Sequence, residues 1–214
     1  MKSRAFATII AIFIYCSLFV PKPEAQSYRS VLEVAPTDVY QAVFDYIGKK
    51  DYEKIKVALA YVTPVMDTIK SKFGVDLEPE IETAMNKKDI PSLIASMRKL
   101  TFYDLKDILN AIVNEGKFQS VDKLQAWIKM AYLDYLFLSP AIVAEKKGFA
   151  ADQEIKRIFK KAHEALSGNS PYTQEEKGFN PKLFAECATQ IEGIVLKLFP
   201  EFEPGAAGKK STES

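Results

Sequence analysis

Histidine occurs once in this sequence, at His163, and cysteine twice, at Cys16 and Cys187. That scarcity removes whole classes of chemistry. A structural zinc site needs clustered Cys and His. A di-iron bundle needs two Glu-x-x-His pairs, and Lys160 stands where the glutamate before His163 should be. Covalent haem needs Cys-x-x-Cys-His, which is missing, and one histidine cannot supply bis-histidine ligation. His163 with a methionine, or a tyrosinate, is what remains for a haem. EF-hand spacing is absent, although an all-carboxylate calcium or magnesium site needs no such loop. No Gly-x-Ser-x-Gly elbow and no Gly-rich phosphate loop occur among the nine glycines. No cofactor is therefore expected.

Strand signals are equally scarce. There is no convincing alternating run and no Asn-Gly or Asp-Gly hairpin turn. An excess of charge of one sign is missing too. The start of the chain reads as an export leader: Lys2 and Arg4, then the uncharged stretch from Ala5 to Val20, then PKPEA ending at Ala25. The stretch is short for a membrane span, which needs about 20 residues, so an uncleaved anchor is the lesser alternative. Removing the leader takes Lys2, Arg4, Lys22 and Glu24 and leaves 26 basic and 27 acidic residues. A balance near −1 does not recruit nucleic acid, and the scattered Lys-Lys pairs read as solvated faces. Cys187 is then the one thiol of an exported chain, with no internal disulfide to help the core. It falls on the apolar stripe of its helix, as a small buried hydrophobe.

What is present is helix. Periodicity predicts helices over 37–48, 51–62, 64–73, 79–86, 90–98, 102–114, 120–138, 140–146, 151–167 and 181–199. Thr63-Pro64, Ser139-Pro140 and Asn180-Pro181 each place a capping side chain before a proline suited to the first helical position. Thr101 with Asp104 reads as a capping-box variant. Gly74, Gly116, Gly148 and Gly168 fall where helices should stop. Lys-Lys-Asp recurs at an offset of 38 residues, in Lys49-Lys50-Asp51 and Lys87-Lys88-Asp89. Without a third copy it reads as shared helix-start grammar rather than a repeat array. The expectation is an all-α single-domain bundle of about seven to ten helices. Residues 1–25 form a signal peptide, 26–202 the helical domain and 203–214 a disordered tail. The 120–138 helix, apolar nearly all round, is expected at its centre.

The aromatic content is the other positive feature. After the leader the chain keeps eleven Phe, nine Tyr and one Trp. Core filling is the default for such side chains at helical spacing. The sharper reading is that Trp127, Tyr132 and Tyr135 line a pocket for an apolar or aromatic ligand, with Tyr61, Met66 and Tyr103 as further candidates. Asp134 is the only charge in the apolar run Met130–Ala144. Either it faces water along a thin wet stripe, or it is buried against a partner on another helix, because an isolated buried carboxylate is very costly. His163 falls at the edge of its helix's apolar stripe, between core and solvent.

These features point to an exported, periplasmic or extracellular, non-enzymatic binding protein. It engages a protein partner or a small apolar ligand through a helix-lined groove, with Trp127, Tyr132, Asp134 and Tyr135 as ligand-binding residues, and has no membrane span once the leader is gone. The alternative is a metal- or haem-associated protein, or an enzyme, with a carboxylate/tyrosine site around Asp134.

Overall fold

Short polar side chains set half of the helix starts. In the computed structural model, which describes residues 36–167 and 178–204, Asp51 accepts a hydrogen bond from the backbone N–H of Lys54 and Asp89 one from Ser92, each at 3.2 Å. Ser120 does the same for Lys123 at 3.3 Å and Asn180 for Leu183 at 3.0 Å. Each bond satisfies an N–H that the first turn leaves without a helical partner. Among the described residues there are eight α-helices and no strand. They are α1 (Pro36–Lys49), α2 (Tyr52–Ala60), α3 (Thr63–Phe73), α4 (Glu78–Lys87), α5 (Ile90–Glu115), α6 (Val121–Ala144), α7 (Gly148–Ser167) and α8 (Pro181–Leu198). The expected leader, residues 205–214 of the expected tail and most of the loop before α8 lie outside the described residues.

The stops have a shared device. Gly74 ends α3 with φ 68°, as its lack of a Cβ permits. Lys50, Lys88 and Lys147 take the same left-handed conformation, at φ 55°, 54° and 66°. Each is the second lysine of a Lys-Lys pair. The repeated Lys-Lys-Asp is therefore a stop followed at once by a start: a left-handed lysine ends one helix, and the next aspartate caps its successor.

Two expected breaks do not occur. Thr101 and Asp104 do not cap a helix; they lie inside α5, where the Thr101 hydroxyl donates to the Met97 carbonyl at 2.9 Å and Asp104 accepts from Tyr40 at 3.0 Å. Likewise α6 runs straight through Ser139-Pro140. Ser139 spends its hydroxyl on Asp152 instead of on a cap. Pro140 removes the helical N–H that the Leu136 carbonyl would accept, and Leu136 is an exposed residue. Tyr135 and Leu138 before the proline and Ala141 and Ile142 after it are all buried, which holds the helix through. The remaining departures are small. Thr63 sits inside α3 rather than capping it, and Gly148 begins α7 rather than ending a helix.

Four long helices form the frame. Each of α5, α6, α7 and α8 packs on the next, and α8 closes the ring against α5. α1 crosses onto α5 and α6, while α3 and α4 lie against α5. The most enclosed helix is thus α5 and not, as expected, the one starting at 120: thirteen of its side chains are buried, including the consecutive run from Leu100 to Leu105. Three tyrosines, Tyr40, Tyr103 and Tyr135, are fully buried, and each phenol meets an acceptor: Asp104, the Phe202 carbonyl at 2.5 Å, and Asp152. Cys187 is buried as expected, and burial pushes its thiol up.

The turn between α6 and α7 is closely packed. Gly148 N–H donates to the Glu145 carbonyl at 2.7 Å. A Cβ at Gly148 would stand 1.7 Å from the carbonyl oxygen of Ile142. Only glycine lets the chain reverse here and lay α7 antiparallel to α6.

Candidate functional site

Successive residues of a helix point about 100° apart, so α6 has several sides. Asp134 and Tyr135 face inward and both are fully buried. The wet-stripe alternative for Asp134 is thereby set aside. Leu133 and Leu136 face the other way, exposed at 36% and 41%, as is Val143 at 42%. The apolar side chains of α6 that raised the expectation of a central helix are, on this side, left facing outward.

Beside them a groove of about 540 Å³ opens between α1, α5 and α6. Phe44 of α1 stacks on Phe137 of α6, ring centroids 6.2 Å apart. Tyr40 meets the same Phe137 edge-on at 6.1 Å, beneath the groove. Leu133, Leu136 and Pro140 form one wall, and Ile94 and Arg98 of α5 the opposite one. Arg98 is half-buried and has no carboxylate partner among the described residues. A guanidinium in this position offers a fork of donors to an acidic group.

A second groove, of about 530 Å³, runs on the other side of α6, against α7. Its aromatic wall is Tyr132 and Phe159, packed edge to face at 5.2 Å, and Tyr135 touches both rings from below at 5.7 and 5.4 Å. Its rim is basic, with Lys129 from α6 and Lys156, Lys160 and His163 from α7. Under it lies Asp152, buried, which takes hydrogen bonds from Tyr135 and from Ser139 (2.6 Å) and an ion pair from Lys156 (2.8 Å). Burial works to raise the Asp152 carboxyl, but Lys156, Ser139 and Tyr135 together hold it below its ordinary value. Burial and the Asp152 carboxylate push the Tyr135 phenol well above the ordinary tyrosine range. This cluster is structural in form, a satisfied knot tying α6 to α7.

A third, smaller groove of about 290 Å³ lies between α1 and α2, where Val57 and Tyr61 are exposed.

The four residues singled out from the sequence are thus distributed. Tyr132 lines the α6–α7 groove, and Tyr135 lies directly beneath it, so these two are brought together. Trp127 is buried under Lys123, whose ammonium stands 4.9 Å from the indole centroid, and lines none of the three grooves. Asp134 lines none of them either. Of the further candidates, Tyr61 belongs to the α1–α2 groove, while Tyr103 and Met66 are buried. His163 is exposed on the rim of the α6–α7 groove. Sequence reading missed Phe44, Arg98, Leu133, Lys129 and Lys160. The available signal was the surplus of apolar positions on α6, which covers more of the helix than one core face needs. Among the described residues no three of His, Cys, Asp and Glu come together as a metal-holding group, and no helix is long and apolar enough to cross a membrane. No protein-family model, curated protein or solved structure matches this chain.

Proposed function

We propose that the protein is a non-enzymatic binding protein that takes an apolar ligand with an acidic head into the groove between α1, α5 and α6. The observation that carries this is an apolar trough with a single guanidinium, Arg98, that no carboxylate among the described residues neutralises. Its volume falls within the range of small-molecule sites, roughly 300–1,000 Å³. The apolar walls would bury the tail, while Arg98 pairs with the head and fixes its direction. The leader-like start, Lys2 to Ala25, supports a place of action in a periplasm or outside the cell.

Dodecanoate and dodecanol, titrated calorimetrically below their aggregation limits, test the reading. Dodecanoate should bind one per chain, and Arg98→Gln should weaken it about tenfold, the loss of a charge-assisted hydrogen bond, with little change for dodecanol. Leu133→Asp should weaken both. Absence of dodecanoate binding, or binding indifferent to Leu133→Asp, overturns it.

A further inference from the structure

The groove between α6 and α7 differs in chemistry from the apolar trough on the other side of the helix. Tyr132 and Phe159 give it an aromatic wall. Lysines stand on both sides, Lys129 from α6 and Lys156 and Lys160 from α7. Lys156 is already committed to Asp152 at 2.8 Å. Lys129 and Lys160, both exposed, have no acidic partner among the described residues. The groove therefore presents two uncompensated positive charges beside a ring-lined surface.

We infer that the α6–α7 groove is a binding site for an organic dianion carried on an apolar ring, such as an aryl phosphate or an aryl dicarboxylate. The ring lies against Tyr132 and Phe159, where stacking and edge contacts add to the area buried. The two negative charges meet Lys129 and Lys160 from opposite sides. The walls are firm because Tyr135, Ser139 and Lys156 all bind the one buried carboxylate of Asp152, which pins α6 to α7 directly beneath the rings. A ligand then finds the rings already in place and loses less freedom on binding. The site is independent of the apolar trough: it shares none of that trough's lining residues.

Naphthyl phosphate is the probe, with inorganic phosphate (charge without ring) and naphthol (ring without charge) as its two halves. Isothermal titration of the full chain should give one naphthyl phosphate bound, at least about tenfold tighter than either half. Lys129→Gln and Lys160→Gln should each weaken it by about tenfold, and added salt should weaken it further. Neither lysine is buried, so both variants should fold as the parent does. Arg98→Gln, in the other groove, should leave naphthyl phosphate binding unchanged. Inorganic phosphate binding as tightly as naphthyl phosphate would reduce the groove to a simple anion contact. Unchanged affinity in the Lys129→Gln, Lys160→Gln double variant, or no binding at all, would overturn the assignment. Failure of dodecanoate to bind bears only on the trough.

Discussion

Tyr135 of α6 donates its phenolic proton to the buried carboxylate of Asp152, seventeen residues later on α7. The same carboxylate holds Ser139 and Lys156, so a single side chain fastens two turns of α6 to the start of α7. Tyr135→Phe keeps the ring packing and removes one of four donors, the others being Ser139, Lys156 and Gln153. It should lower unfolding free energy by about 1.5–3 kcal/mol in urea titration, the cost of one buried hydrogen bond to a charged group. A change below a few tenths would show that Ser139 and Lys156 satisfy the carboxylate without it.

Asp152 also sets an acid dependence. Its folded value lies below the ordinary 3.8, so its contribution is complete above 3.8 and is lost as pH falls from there through the depressed folded value. Urea midpoints measured on descending pH should fall in this window, and Asp152→Asn should show a shallower fall than the parent. An acid limb unchanged by Asp152→Asn would place the titration elsewhere.

The alkaline side is governed by buried phenols. Burial, with Glu192 and Glu203 adding to it, raises Tyr103 to about 12. A raised group contributes fully below its unfolded value, about 10 for tyrosine, and the contribution disappears as pH rises toward the folded one. Stability should therefore decline between about pH 10 and 12. Tyr103→Phe, which also frees the Phe202 carbonyl, should be less stable at neutral pH by about 1–2 kcal/mol yet lose less on going alkaline. Equal alkaline loss in both proteins would contradict this.

Asp134 is wholly buried on a helix otherwise rich in apolar side chains. A carboxylate in that position is tolerated only when its surroundings compensate it. Asp134→Ala removes one side of that balance and should cost about 3 kcal/mol or more. A loss below about 0.5 kcal/mol, the range of surface changes, would mean that the charge is of no consequence to the fold.

Gly148→Ala tests the reversal between α6 and α7. The added methyl would meet the Ile142 carbonyl at 1.7 Å, a contact that only backbone movement relieves. Overpacking of this kind costs about 1–3 kcal/mol, and because the neighbour is backbone, the upper end is expected. Naphthyl phosphate affinity should fall in the same variant, since the turn sets the spacing of the groove's two walls.

The fold class was readable from helical periodicity and the scarcity of strand signals, and Asn180-Pro181 and Gly74 marked their boundaries correctly. In each of the two false breaks the hydroxyl is used elsewhere than at a cap. A hydroxyl that bonds the carbonyl four residues back, as Thr101 does, leaves the same sequence trace as one that caps a helix. Ser139 was claimed by Asp152 of the next helix, which no local pattern reveals. The burial of Asp134 was undecidable for the same reason: a wheel gives the direction of a side chain but not what faces it. The grooves were least legible of all. Phe44, Arg98 and Leu133 are separated by tens of residues along the chain, and only the crossing of α1 over α5 and α6 makes them neighbours.

The order of packing in the frame has a kinetic consequence. From α5 to α8 each helix lies beside the one made just before it, so most of the frame closes between helices that are neighbours in sequence. Domains wired this way belong to the fast class of folders, microseconds to milliseconds. Among the described residues the hydrogen bonds that span the most sequence are Tyr103 to the Phe202 carbonyl, Lys106 to Glu192 and Tyr40 to Asp104. A stopped-flow trace should accordingly show the frame forming first, with the arrival of α1 and the Phe202 segment as the last and slowest closure.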